Sequence, residues 1–142
     1  LMPKQLCYNS IKSMAEQPLI LIVDDEPDFR EIFGLKLKSA GYRIETATNG
    51  SEGIEKAKAL KPDLILMDVK MPVMDGAAAV LKLREDPATK NVRIAFLTSL
   101  GDPHAEMQEM YKKVSEDFGA QGYLKKTDDL ELLTQKIKGF LQ

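Results

Sequence analysis

Short apolar runs, each ending on a polar residue, constrain this chain more than any other feature. Leu19-Ile20-Leu21-Ile22-Val23 runs into Asp24-Asp25, and Leu64-Ile65-Leu66-Met67 into Asp68. Ile94-Ala95-Phe96-Leu97 is followed by Thr98-Ser99, and Tyr123-Leu124-Lys125 by Lys126. Continuous apolar runs of this length are the pattern of strands buried on both faces of a parallel sheet. In an open parallel sheet, chemistry collects beyond the carboxyl ends of the strands. Three carboxylates, a hydroxyl and an ammonium are therefore expected to share one crevice. Such a set can hold a divalent cation and accept a phosphoryl group.

Between the runs the apolar period changes from strand-like to helical. Phe29, Ile32, Phe33, Leu37 and Ala40 repeat at three and four, with Pro27 in the first turn and Gly41 closing the helix. Tyr42–Ala47 alternates, as an edge strand does. Asn49-Gly50-Ser51 forms a turn and cap, and a short helix through Ile54, Ala57 and Leu60 reaches Pro62. Asp63–Met67 is the third strand, and Gly76–Arg84 a helix with an Ala-rich face that Asp86-Pro87 breaks. Val92–Leu97 is the fourth strand. Met107, Met110, Tyr111, Val114 and Phe118 mark a further amphipathic helix, left through Gly119 and Gly122. Tyr123-Leu124 is a short fifth strand. Leu130, Leu133, Ile137 and Phe140-Leu141 mark the last helix. Regular strand–helix alternation implies a parallel sheet covered on both faces, and the expected fold is an α/β, flavodoxin-like (βα)5 three-layer sandwich with the sheet in the common doubly wound order 2-1-3-4-5.

The 142 residues suit one domain with a short appendage. Residues 1–17 lack a strand pattern and read as an N-terminal extension, a tail or a short helix carrying Cys7, Ile11 and Met14. Residues 18–142 form the domain. Twenty basic against 22 acidic residues leave no global basic field for nucleic acid and no cationic face for a membrane. No run is long enough to span a bilayer and no leader pattern opens the chain. The single cysteine cannot form an internal disulfide, which fits a reducing cytoplasm.

Taken singly, each site residue has an ordinary explanation. Asp24-Asp25-Glu26 is a solvated loop in which Glu26 or Asp28 caps the next helix. Asp68 alone is a turn acid, Lys126 a surface lysine, and Thr98-Ser99 a helix cap. The joint placement argues otherwise. Carboxylates from neighbouring first and third strands repel by about 4 kcal/mol at roughly 4 Å and an effective dielectric near 20. A cation relieves that, and hard oxygen donors with room for water and phosphate suit Mg²⁺. A strand-end carboxylate can also attack phosphorus and become an acyl phosphate. Asp24 and Asp25 bring the metal, Lys126 counters the growing negative charge, and Thr98 hydrogen-bonds a phosphoryl oxygen. His104, the only histidine, reads as an exposed residue at a helix start. Among the methionines, Met67 reads as core, whereas Met107 and Met110 lie where a partner can dock.

Leu21-Ile22-Val23-Asp24-Asp25-Glu26, Leu66-Met67-Asp68-Val69-Lys70-Met71-Pro72-Val73-Met74-Asp75-Gly76, Phe96-Leu97-Thr98-Ser99 and Gly119-Ala120-Gln121-Gly122-Tyr123-Leu124-Lys125-Lys126 together resemble a CheY-like receiver domain of the two-component response regulators over residues 18–142. The resemblance implies phosphoryl transfer to Asp68 from a histidine of a sensor kinase or phosphotransfer protein. It implies Mg²⁺ held by Asp25, Asp68 and the backbone carbonyl of Lys70, with Asp24 acting mostly through water. It makes Thr98 and Tyr123 the switch pair, and Lys126 rather than Lys125 the active lysine. The chain would be a phosphoacceptor that also loses its phosphoryl group, not a turnover enzyme. It would act on a protein target or output domain, with a homodimer left open.

Two departures from the pattern stand out. Thr127 replaces the proline that many members carry after the lysine, often behind a cis bond, so a looser or trans loop is expected. The Thr98–Lys126 interval is long by about one and a half helical turns, with the excess within Gly101–Phe118. Residues 99–110 are expected to change most on phosphorylation. The chain ends just after the last helix, so either a stand-alone receiver or one excised from a longer regulator or hybrid kinase is expected. An aspartate-nucleophile phosphatase is the competing reading. It wants a second acid two residues after the nucleophile, where Lys70 stands. A degenerate, binding-only receiver would have lost an acid or the lysine, and all are present.

Overall fold

The computed structural model describes residues 17–68, 76–98 and 119–142. Within them the strands are β1 (Leu19–Val23), β2 (Arg43–Ala47), β3 (Leu64–Asp68), β4 (Arg93–Thr98) and β5 (Gly122–Lys125). The helices are α1 (Pro27–Ser39), α2 (Gly50–Leu60), α3 (Gly76–Glu85) and α4 (Leu130–Phe140). All strand pairs are parallel, as the alternation predicts, and their order β2-β1-β3-β4-β5 is the doubly wound one expected. The expected helix over Met107–Phe118, His104 and the extension up to Glu16 lie outside the described residues.

The sequence accounts for which strands sit at the centre. β1 and β3 are apolar at nearly every position and buried throughout. β2 alternates exposed and covered residues, and β5 is short and half-buried, as edge strands are. Alternate side chains of the central strands divide between two cores. Leu21, Val23, Ile65, Met67, Ile94 and Phe96 pack with Ile54, Ala57, Val80 and Leu83 of α2 and α3. Ile20, Ile22, Leu64, Leu66, Ala95 and Leu97 pack with Phe33, Leu37, Leu133 and Ile137 of α1 and α4.

The helix ends follow local chemistry. Pro27 opens α1, and Gly41 follows that helix with φ at 101°. Asn49 caps α2 by accepting the Glu52 N–H at 2.9 Å. Gly53 lets α2 lie against the end of β1: a Cβ there would stand 2.8 Å from Val23 Cγ2. Strand ends shift by a residue or two from the sequence reading. Asp68 and Thr98 belong to their strands rather than following them. No cis peptide bond occurs among the described residues, so the Lys126–Thr127 bond is trans.

Candidate functional site

The backbone delivers four polar positions to one edge of the sheet. The Asp24 N–H donates to the Ala47 carbonyl at 3.0 Å, which carries the β1–β2 ladder one residue past β1. Asp68 closes β3 opposite Leu97. The Lys126 N–H donates to the Thr98 carbonyl at 2.8 Å and extends the β4–β5 ladder in the same way. Parallel strands in register end together, so residues from distant parts of the chain meet without any long loop.

Lys126 lies at the centre. Its Nζ is 2.5 Å from Asp24 Oδ2, 2.8 Å from Glu26 Oε1 and 3.2 Å from Asp68 Oδ2. The lysine side chain is only 6% exposed. Its ammonium also stands 4.9 Å from the centroid of the Phe29 ring, a cation–π distance. Burial alone draws the lysine pKa down. The carboxylates of Asp24, Glu26 and Asp68 together outweigh it and hold the ammonium above its ordinary value.

The acids outnumber their counter-charge. Asp24, Asp25, Glu26 and Asp68 each bring a carboxylate oxygen within 4.8 Å of the others. Asp24 Oδ1 accepts the Glu26 N–H at 2.8 Å, and Arg30 Nη1 donates to the Asp24 carbonyl at 2.6 Å. Asp24 Oδ2 is buried with no hydrogen-bond partner; its approach to Lys126 is a charge contact without hydrogen-bond alignment. Burial pushes the Asp24 carboxyl above its ordinary range, and Lys126 and the Glu26 amide offset this only in part. Four carboxylates converging around one ammonium are a donor set that a hard divalent cation fits.

The structure thus brings together Asp24, Asp25, Asp68 and Lys126, all read from the sequence. Thr98 is buried at the end of β4, beside Lys125 in register. Tyr123 is half-buried on β5 opposite Phe96, against the core beneath α2 and α3. Lys70, named as a carbonyl ligand, lies outside the described residues. Glu26 is a residue to which sequence reasoning gave no role beyond an ordinary helix cap. It precedes α1 at the cap position, yet its side chain makes no capping hydrogen bond. Its carboxylate goes to Lys126 instead, 100 positions along the chain. Asp28 does not cap α1 either; it lies inside the first turn. The available signal was the third acid in a row directly after a buried strand.

Residues 20–138 match the family described as response regulator receiver domain. The chemotaxis protein CheY of Treponema pallidum is 35% identical over 126 residues, covering 87% of this chain and 82% of that protein. The DNA-binding dual master transcriptional regulator RpaA of Synechocystis is 34% identical, but this chain spans only 49% of it. The chain spans only 9% of the hybrid signal transduction histidine kinase D of Dictyostelium discoideum, at 34% identity. Among solved structures, CheY4 of Vibrio cholerae superposes with a TM-score of 0.77 at 33% identity, covering 88% of this chain and 99% of that one. TrrA of Thermotoga maritima, solved in complex with Mg²⁺-BeF, gives 0.73 at 30% identity, covering 88% of this chain and all (100%) of that one. Fold, family match and acid–lysine cluster agree: the chain belongs to the response regulator receiver domain family, the phosphorelay module of two-component signalling.

Proposed function

We propose that Asp68 is the phosphoacceptor of this receiver, taking a phosphoryl group from a phosphohistidine of a sensor kinase or histidine phosphotransfer protein. The observation that carries this is the position of Asp68: at the end of a central strand, within the acid cluster, and 3.2 Å from Lys126 Nζ. A carboxylate oxygen of Asp68 attacks phosphorus as the phosphorus–nitrogen bond breaks. The electron pair of that bond returns to the imidazole, and Asp68 carries the acyl phosphate. Lys126 supplies a full positive charge to the transferred oxygens, which a neutral donor could not match.

Asp25, Asp68 and the Lys70 carbonyl are the ligands we assign to Mg²⁺, with Asp24 supporting it through water. When bound, the ion neutralises charge on the transferring phosphoryl oxygens. Thr98, on the neighbouring strand, hydrogen-bonds a phosphoryl oxygen, and Tyr123 follows its movement. The output is a change in the surface that a downstream protein or attached domain reads, and the setting is cytoplasmic. Release of the phosphoryl group to water resets the domain, without turnover of an external substrate. We keep residues 1–17 as an extension and 18–142 as the receiver.

Intact-mass analysis with a small acyl-phosphate donor and Mg²⁺ tests the assignment. The wild type gains one hydroxylamine-sensitive phosphoryl group and Asp68→Asn gains none. Unchanged incorporation in the variant overturns it.

A further inference from the structure

Lys126 has three carboxylate partners of two kinds. Asp24 and Asp68 are buried and belong to the proposed metal and phosphoryl site. Glu26 is different. Its side chain is 56% exposed, it sits on the solvent side of the cluster, and its Oε1 is 2.8 Å from the ammonium. The ammonium also lies over the Phe29 ring, 4.9 Å from its centroid. That ring is itself braced by Phe33, with centroids 5.1 Å apart. Glu26 and Phe29 both come from the junction of β1 and α1, whereas Lys126 comes from the end of β5.

A phosphoryl group on Asp68 would bring anionic oxygens to the same ammonium that Glu26 holds, so the two anions compete for one positive charge. We infer that Glu26, with Phe29 beneath the ammonium, is a competing anchor for Lys126: it holds part of the ammonium's hydrogen-bonding capacity beside Asp68, and so sets how tightly an anion on Asp68 is held. Glu26 is thus a positioning residue that acts through Lys126, not a metal ligand and not a helix cap. This rests on the reading of Asp68 as phosphoacceptor with Mg²⁺ at the acids.

The two roles available to Glu26 give opposite signs. If it holds the lysine back, Glu26→Gln releases Lys126 to the anion and tightens binding. If it ligates the metal, the same change loosens binding. The exchange of one partly exposed ion pair corresponds to about two- to fivefold.

The experiment is a titration of beryllofluoride at saturating Mg²⁺, followed by amide NMR, on wild type, Glu26→Gln, Lys126→Met and the double variant. We expect Glu26→Gln to bind about two- to fivefold tighter than wild type, and the gain to vanish in the Lys126→Met background. A gain of the same size in both backgrounds means direct repulsion of the anion by Glu26 and overturns the inference, as does weaker or equal binding by Glu26→Gln. The ¹⁵N-resolved ammonium signal of Lys126 serves where Lys126→Met binds too weakly to titrate. With Mg²⁺ alone, that signal stays protected from exchange in the wild type and loses protection in Glu26→Gln; equal protection in both overturns the inference. If wild type takes up no beryllofluoride at all, the phosphoacceptor reading falls with it. A wild type that binds while Glu26→Gln is unchanged refutes the holding role alone.

Discussion

The two ends of the sheet use the same kinds of side chain in opposite ways. At the amino-terminal end, Asp63 Oδ2 accepts the Leu19 N–H at 2.7 Å, and the Asp63 N–H donates to the Leu19 carbonyl at 2.8 Å. Arg43 Nε donates to the Gln17 carbonyl and Arg93 Nη1 to the Leu141 carbonyl. There each charged group is spent on backbone that would otherwise lack a partner. At the carboxyl-terminal end, four carboxylates face one another, and three of them, Asp24, Glu26 and Asp68, share Lys126. One end closes the fold; the other holds charge in reserve for something that arrives later. An acid at a strand boundary therefore says nothing by itself. What it faces decides whether it stabilises or reacts.

Substitutions at the two ends should separate stability from chemistry. The largest effect is at Asp68: Asn should lower phosphoryl uptake at least about 100-fold, the scale at which a lost nucleophile leaves only background. The same variant should show no loss in urea stability, because its amide still faces Lys126. A fall in stability matching the fall in uptake would merge the two ends. Next in size is Gly53→Ala. Its Cβ would press on Val23 at 2.8 Å, so a loss of about 1–3 kcal/mol is expected by urea unfolding. Because Val23 leads directly into Asp24, weaker Mg²⁺ binding should accompany that loss.

Asp63→Ala should cost about 1 kcal/mol, the value of one partly exposed hydrogen bond, with phosphoryl uptake unchanged. Altered uptake would show that the amino-terminal end reaches the site. The smallest and most pointed effect belongs to Asp24→Asn without metal. The folded-state pKa of Asp24 lies above its unfolded value of 3.8, chiefly through burial. A group of that kind favours folding below its unfolded pKa, and the contribution is lost as pH rises through the folded pKa. Asn stays neutral throughout. Relative to wild type, the variant should therefore gain stability as pH climbs from about 4 toward neutrality, measured by urea midpoints across that range. A pH-independent difference would mean that Lys126 fully compensates Asp24.

Much of this was legible because the central strands are apolar end to end, so their polar termini stand out. Asp24, Asp68 and Lys126 were found that way, and alternation of strands and helices gave the parallel sheet. Glu26 was not, because an acid before a helix is commonly a cap. Its real partner comes from β5, a contact that no local pattern reveals. Phe29 was read correctly as part of a helical apolar face, but periodicity cannot say that its ring also meets an ammonium. Asp68 and Thr98 were placed just beyond their strands because a polar residue ends an apolar run, although the ladder continues through it.

The amides that fix Asp24 and Lys126 have a further consequence. Both bonds run from backbone to backbone, Asp24 to Ala47 and Lys126 to Thr98. Neither depends on which side chain either residue carries. The frame is therefore a socket whose contents can be exchanged: an engineer can replace the side chains at 24 and 126 and still have both positions presented at the same edge. This suits the domain to reprogramming, for a different ion or a permanently occupied state, without redesign of the sheet that holds it.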